Sequence, residues 1–219
     1  MKTVLGIHAG LSEPSTSEKL VSKILDNVQE KSSKADDSVE IETISLRNYA
    51  SSLLNSLLTG FVSTDVETLM NKVLSASGLV LVSPVMSAGY SGLFKMFIDI
   101  LPEHSLKNKP VLLGATAGTK RHSLVIDYAM KPVLDYHHAR ILSYSVFAAT
   151  DDWGNVSELS ERIDKAGDDL IQLLFSSNVY APKLEENLSE SAIDKTYQVN
   201  DSLFDGLTFH DLVNRGNND

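Results

Sequence analysis

Three short stretches of this chain combine small residues with hydroxyl groups, a composition suited to binding a ligand close to the backbone. The first stretch, LSEPSTS, immediately precedes a periodic apolar segment that predicts a helix. Its hydroxyl-bearing residues are Ser12, Ser15, Thr16 and Ser17. Hydroxyls and free backbone N–H groups at a helix N-terminus suit an anion, and a single phosphate is the natural ligand. The alternative is that Ser15 or Ser17 only caps the helix, as serine often does.

The second stretch, SPVMSAGYSG, follows the most apolar run of the chain. Ala88, Gly89 and Gly92 keep side chains short where a flat ring could lie against the backbone. Met86 and Tyr90 supply a polarizable edge and an aromatic edge. The alternative is a structural turn in which Tyr90 packs into the core.

The third stretch, ATAGTKRHS, places small residues directly after a predicted strand. Ala117 and Gly118 leave room at the backbone, and Thr119 adds a hydroxyl group. The next three residues are basic in an otherwise acidic protein: Lys120, Arg121 and His122. Such a patch could meet the phosphates of a second, anionic substrate. The alternative is a solvated loop with ordinary surface charges.

The elements around these stretches are expected to bring them together. Five apolar runs predict strands: KTVLGIH (2–8), VEIETISL (39–46), LVLVS (79–83), PVLLGATA (110–117) and RILSYSVFAAT (140–150). Strands that alternate with helices through short connections form a parallel sheet covered on both faces. We therefore predict an α/β fold with the sheet order 2-1-3-4-5, whose ligands bind beyond the carboxyl ends of the strands. All three stretches lie at that edge.

Apolar stripes at helical spacing predict the helices of this fold. They lie in residues 20–28, 66–74, 93–101, 123–138 and 155–176. Pro132 is expected to kink or break the fourth of them. Residues 48–62 are apolar but interrupted by serines, and we interpret them as a loop with a short helical turn, a candidate subunit contact. Residues 1–179 are predicted to form one domain, and residues 180–219 a tail that docks on a neighbouring subunit.

The composition favours one soluble domain and disfavours several classes of function. The 219 residues, 42% of them hydrophobic, suffice for one sizeable core. A net charge of -10 argues against nucleic-acid binding. No apolar run reaches the roughly 18 residues of a membrane span, and MKTVLGIH is typical of a first strand rather than a signal peptide. The absence of cysteine excludes disulfides and thiolate metal sites and fits a cytoplasmic location.

Other catalytic patterns are missing from the sequence. It contains no GxxxxGK, GxGxxG or GxSxG motif. His137 and His138 form a doublet without the spacing of metal ligands, so no metal is expected. Asp151 and Asp152 follow the last strand, where they either bind a cation or begin a helix or turn. Trp153 beside them is a candidate cover for the site or for a subunit interface.

Two segments of the chain resemble the NAD(P)H-dependent FMN reductases of the flavodoxin-like superfamily. They are GLVLVSPVMSAGYSGLFKMFIDILP and NKPVLLGATAGTKRHSLVIDYAMKPVL. The resemblance is strongest to the alkanesulfonate-linked reductases, which supply reduced flavin to a two-component monooxygenase, and it covers roughly residues 2–150. It implies a flavodoxin-like three-layer sandwich with a five-stranded parallel sheet. It also implies FMN as the flavin, NADPH or NADH as co-substrate, and a flavin-dependent monooxygenase as partner.

The resemblance further implies roles for individual residues. The flavin-binding residues are expected to be Ser12, Ser15, Thr16, Ser17, Pro84, Val85, Met86, Ser87, Ala88, Tyr90, Ala117, Gly118 and Thr119. Ser15 and Ser17 among them would contact the phosphate, and the basic residues 120–122 are the nicotinamide candidates. No side chain is given a catalytic role, because stacked cofactor rings carry out the hydride transfer themselves. Tyr128 lies in a helix that packs at a subunit interface in relatives and can carry a π-bulge, so we expect a homodimer or homotetramer.

Two departures from the relatives bear on flavin affinity. The first loop reads GLSE where relatives often have GSxR, so Glu13 would repel the phosphate, and Met86 stands where an aromatic residue is common. Both departures predict loose FMN binding, which suits a flavin that leaves after reduction. The alternatives are a quinone or azo-dye reductase that keeps its FMN, a flavodoxin-like electron carrier without NAD(P)H oxidation, and a ligand-free scaffold.

Overall fold

The structure of the chain, a computed structural model, describes residues 2–34, 38–154 and 156–176. The strands are β1 (Lys2–His8), β2 (Val39–Ser45), β3 (Gly78–Met86), β4 (Gly89–Tyr90), β5 (Pro110–Ala117), β6 (Arg140–Ile141) and β7 (Val146–Ala149). The α-helices are α1 (Thr16–Lys34), α2 (Ala50–Thr59), α3 (Thr64–Ser75), α4 (Gly92–Ile100), α5 (Lys131–Tyr136) and α6 (Val156–Phe175). Short 3-10 helices cover Leu46–Tyr49, Lys120–His122 and Thr150–Trp153, and a π-helical turn covers Ile126–Met130.

The main sheet is parallel, with the order β2-β1-β3-β5-β6, and β7 also pairs with β5. Since β6 and β7 are two pieces of the predicted fifth strand, the predicted order 2-1-3-4-5 is confirmed; this is the flavodoxin-like arrangement. The register places His8 opposite Val82 and Pro84 opposite Thr116. The carboxyl ends of β1, β3 and β5 are therefore level with one another, and the loops that follow them start at one edge.

The fifth strand is interrupted where the sequence predicts one continuous run. The backbone N–H groups of Ser143 and Tyr144 donate to the Asp169 carboxylate, at 2.9 and 3.4 Å, instead of to the neighbouring strand. The ladder resumes at Val146, opposite Gly114. A second difference is β4, a two-residue strand that turns back on β3 as an antiparallel hairpin.

Residues 48–62 contain more helix than the short helical turn predicted from the sequence. The segment forms a 3-10 turn followed by the ten-residue helix α2, which ends at Gly60 with a left-handed φ of 70°. Leu53 and Ser56 face inward and are buried, so the serines that interrupt the apolar pattern belong to the helix itself. Pro132 follows the π-helical turn at the start of α5, so the helical hydrogen-bond pattern changes where the sequence predicts a kink or local break, and the backbone stays helical.

Both faces of the sheet are covered. On one face α1 and α6 pack together, and their core includes Val4, Val80 and Leu112. Strand residues of opposite parity, such as Leu5 and Leu81, are also fully buried, as expected when helices cover the second face as well. The predicted tail and the domain boundary at residue 179 lie outside the described residues.

Candidate active site

The loops that follow β1, β3, β5 and β7 line two adjoining spaces at the carboxyl edge of the sheet. The larger part, here called the main cleft, measures about 420 Å³ and is lined by Val85, Ser87, Ala88, Ala117, Gly118, Thr119, Arg121 and His122. The smaller part, the side chamber, measures about 190 Å³ and is lined by Thr16, Pro84, Val85, Thr116, Ala117, Gly118, Thr150 and Trp153. Three residues line both parts, so the three predicted stretches do meet.

The first loop uses most of its hydroxyl groups within the protein. The Ser15 hydroxyl accepts the Glu18 N–H at 3.3 Å and so caps the helix, while its contact with a phosphate stays a prediction. The Ser17 hydroxyl is buried and lies 2.8 Å from the Thr116 hydroxyl, which ties α1 to the end of β5. Ser12 bonds to the Pro14 carbonyl at 3.2 Å. Thr16, the first residue of α1, is the member of this group that lines the side chamber.

The charge of Glu13 is compensated in the structure. Its carboxylate lies 2.5 Å from Nη1 of Arg47, which comes from the 3-10 turn after β2. The loop also passes so close to itself that a Cβ at Gly10 would lie 1.9 Å from the Ser15 hydroxyl. Glycine is therefore required at position 10 for this loop conformation.

The second loop is a tight β-hairpin. Ser87 and Ala88 occupy its two central positions with φ values of 48° and 65°, the left-handed conformation that a two-residue hairpin demands and that non-glycine residues rarely adopt. Both residues line the main cleft. The base of the hairpin is fixed by the Ser83 hydroxyl, which accepts the Ser91 N–H at 2.9 Å.

Two residues predicted to contact the ring, Met86 and Tyr90, are absent from the lining of the site. Tyr90 is half-buried with its ring centroid 5.5 Å from that of Phe94, which is the packing role weighed as the alternative. Met86 is 46% exposed at the end of β3. Neither residue lines the main cleft or the side chamber, so a contact of either with flavin stays a prediction.

The third loop borders the main cleft with open space at its backbone, and two of its three basic residues line the cleft. A Cβ at Gly118 would meet no heavy atom within 4 Å, so the cleft begins directly at this backbone. Arg121 Nε donates to His122 Nε2 at 3.0 Å, and both side chains line the main cleft. Lys120 lines neither part and lies 3.5 Å from the carboxylate of Asp152.

Asp152 joins three elements behind the site. Its buried carboxylate accepts the Ala149 N–H at 2.8 Å and pairs with Arg162 of α6 at 2.8 Å. Burial raises the pKa of this carboxyl, but the Ala149 hydrogen bond and the charges of Arg162 and Lys120 outweigh burial and hold the pKa below its usual range. The aspartate therefore begins the 3-10 turn Thr150–Trp153, as one of the two sequence interpretations has it, and fixes Trp153 at the chamber.

Sequence reasoning missed Thr116 and Thr150 as lining residues. Thr116 is the penultimate residue of β5 and Thr150 directly follows β7, so the available signal was a hydroxyl at a strand end. Among the described residues, no group of three or more histidine, aspartate or glutamate side chains could hold a metal ion. No helix in the described part of the chain has the length and apolarity to span a membrane.

Comparisons with known proteins agree on one family. The family model described as NADPH-dependent FMN reductase matches residues 2–154. The chain is 36% identical to an FMN reductase (NADPH) of Escherichia coli (strain K12), over 74% of this chain and 87% of the relative. It is 30% identical to the NADH-dependent FMN reductase SfnF of Pseudomonas putida, over 68% of this chain and 77% of that protein.

Among solved structures, the chain is similar to an oxidoreductase from Corynebacterium diphtheriae. The two share 38% sequence identity with a TM-score of 0.77, and the match covers 80% of this chain and 97% of the other. The matched family segment, residues 2–154, holds the loops that form the main cleft and the side chamber. The chain belongs to the NADPH-dependent FMN reductase family.

Proposed function

We propose that this chain is an NAD(P)H:FMN oxidoreductase that holds FMN in the main cleft and side chamber and releases it reduced to a partner monooxygenase. One observation carries the proposal: the segment that matches the FMN reductase family also contains the cleft. The cleft is lined by Ala88, Ala117 and Gly118 and lies at the edge where such sheets bind ligands. When bound, FMN supplies a ring that accepts a hydride from reduced nicotinamide.

The residues present fit a flavin. The backbone at Gly118 borders open space that any side chain would enter, as expected where a flat ring lies against the chain. Hairpin residues Ser87 and Ala88 line the same cleft. The side chamber lies at the first turn of α1, where the positive end of the helix dipole favours a phosphate. We therefore place the ring in the main cleft and the phosphate end in the side chamber.

The work of the protein in this reaction is positioning. The small residues Ser87, Ala88, Ala117 and Gly118 in the cleft lining would let two rings approach each other. The buried hydrogen bond between Ser17 and the chamber-lining Thr116 ties the start of α1 to the end of β5. No acid–base side chain is assigned, because reduced nicotinamide would pass its hydride directly to the flavin ring, and the reduced anion that results would need no proton from the protein.

For the nicotinamide substrate, Arg121 is the favoured contact. Arg121 and His122 face the main cleft, whereas Lys120 is directed to Asp152. If Arg121 reads the additional phosphate of NADPH, Arg121→Ala raises KM for NADPH about tenfold and leaves KM for NADH nearly unchanged. Lys120→Ala is the matched control, with a small effect on either substrate. An unchanged preference in Arg121→Ala would remove this residue from the role.

The release of reduced FMN is tested by oxidation of NADPH and NADH with and without added FMN. The proposal expects little activity from the purified protein alone and a rate that rises and saturates with added FMN. A yellow protein that reduces quinones without added flavin would instead identify an FMN-retaining reductase. Bound flavin with negligible NAD(P)H oxidation would identify an electron carrier, and either result contradicts the proposal.

A further inference from the structure

Lys19 and Trp153 meet beside the side chamber although they lie far apart in the chain. The Lys19 Nζ atom is 4.6 Å from the centroid of the Trp153 ring, a distance at which an ammonium group is attracted to the face of an indole. Trp153 itself lines the side chamber. The Lys19 ammonium group therefore lies against the ring of a residue that lines the chamber, and the proposed function above gives it no role.

A phosphate bound near the first loop would require a cation other than Arg47, because Arg47 already pairs with Glu13. Glu13 is the acidic residue of that loop, and its pairing with Arg47 at 2.5 Å occupies the arginine. Lys19 lies in the first turns of α1, close to the chamber-lining Thr16. Its contact with Trp153 uses no N–H donor, so its three ammonium hydrogens can still donate to phosphate oxygens.

We propose that Lys19, held in place by Trp153, supplies the positive charge that binds the FMN phosphate in the side chamber. The inference rests on the flavin placement proposed above. Lys19 is then a binding residue, and Trp153 is a positioning residue that acts through it. The cation–π contact limits the freedom of a flexible lysine side chain before flavin arrives, which reduces the entropy lost on binding.

The test compares the binding of FMN with that of riboflavin, which has the same ring and no phosphate. In Lys19→Met the Kd for FMN is expected to rise about tenfold, the loss of one charge-assisted contact. The Kd for riboflavin is expected to stay unchanged. Lys23→Met removes another exposed lysine one helical turn further along α1 and is the matched control. Lys19→Arg, which keeps the charge, is expected to restore most of the FMN affinity.

The positioning role of Trp153 has its own readout. Trp153→Phe keeps an aromatic face and is expected to weaken FMN binding less than Trp153→Leu does, again without an effect on riboflavin. The dependence of FMN affinity on salt concentration should also be shallower in Lys19→Met than in the natural protein.

The outcomes separate this inference from the proposed function. If the natural protein binds neither FMN nor riboflavin, the flavin site itself fails. If it binds both and Lys19→Met weakens them equally, Lys19 acts on the ring or the fold, and the inference is overturned. The inference is also overturned if the Kd for FMN in Lys19→Met equals that in Lys23→Met.

Discussion

At the scale of single residues, Gly118 determines whether the main cleft is open. Its missing side chain leaves space that no other atom of the protein occupies within 4 Å of the Cβ position. We expect Gly118→Val to fold with the stability of the natural protein and to raise the Kd for FMN at least about tenfold, because the new methyl groups enter the ring site. Fluorescence titration with FMN and thermal unfolding measure the two effects.

Gly92 offers the control for this substitution. A Cβ at Gly92 also meets no heavy atom within 4 Å, but Gly92 starts α4 and lines neither part of the site. Gly92→Val should leave FMN binding unchanged. Equal loss of affinity in the two variants would show that the space at Gly118 is not where the flavin lies.

Asp152 predicts a pH dependence of stability. Its carboxyl has a lowered pKa in the folded protein, so its ionised form stabilises the fold above the ordinary carboxyl pKa near 4. That contribution disappears as the pH falls through the lower, folded-state value. Asp152→Asn should reduce the free energy of unfolding by about 2 kcal/mol at pH 7, since Arg162 loses a buried charged partner.

Urea unfolding at several pH values measures this effect. The difference between the natural protein and Asp152→Asn should shrink as the pH falls below about 4, while Asp151→Asn, at an exposed neighbouring position, should behave as the natural protein does. A difference that is as large in acid as at neutral pH would contradict the ionic role of Asp152.

At the scale of elements, the hairpin between β3 and β4 holds unfavourable backbone conformations at the wall of the site. Ala88 has a φ of 65°, which costs an alanine roughly 1 kcal/mol relative to glycine. Ala88→Gly is therefore expected to raise the free energy of unfolding by about 1 kcal/mol. The same change at Ala50, where φ is -55° at the start of α2, should lower it by a similar amount.

Opposite signs in these two variants, measured by urea unfolding, would establish the strain in the hairpin. If Ala88→Gly is destabilising like Ala50→Gly, the left-handed conformation at position 88 carries no cost. A stabilised Ala88→Gly that also binds FMN more weakly would further indicate that the strained turn pre-forms the wall of the cleft.

Strands and helices are predicted best from the sequence where the spacing of apolar residues matches their burial in the fold. The first, third and fourth predicted strands are buried on both faces and appear as continuous apolar runs, so their positions and order follow from the pattern. The fifth strand breaks because Asp169, remote in sequence, takes the N–H groups of Ser143 and Tyr144. Such a partner cannot be read from local periodicity.

The same distinction holds for the site. The loops after β1, β3 and β5 are predictable because strand order fixes where strand ends meet. Which side chains face the cleft depends on pleat and turn geometry, so Thr116 and Thr150 were missed, while Met86 and Tyr90 lie away from the lining. Contacts such as that of Lys19 with Trp153 depend on long side chains and are visible only in three dimensions.

At the scale of the whole molecule, large apolar side chains remain exposed away from the cleft. Tyr128 on the π-helical turn is 79% exposed, and Leu124 just before it is 59% exposed. Leu58 and Phe61 at the end of α2 are exposed to a similar degree. Exposed apolar groups of this size favour contact with another protein surface, and the homodimer or homotetramer expected from the sequence stays a prediction.

We therefore expect the protein to self-associate through the surface that carries Tyr128. Light scattering after size-exclusion chromatography should give a mass of two or four chains for the natural protein and a smaller assembly for the double variant Leu124→Ser, Tyr128→Ser, since burial of these side chains drives association. Tyr144→Ser, on the β6–β7 connection and 51% exposed, is the control and should keep the natural mass. A monomeric natural protein, or an assembly that the double variant leaves intact, would place these side chains outside any subunit interface. If the natural protein does assemble, the dependence of FMN reduction on protein concentration would show whether the assembly is needed for activity. Described residues of a single chain already line the cleft, so a monomer is expected to keep activity.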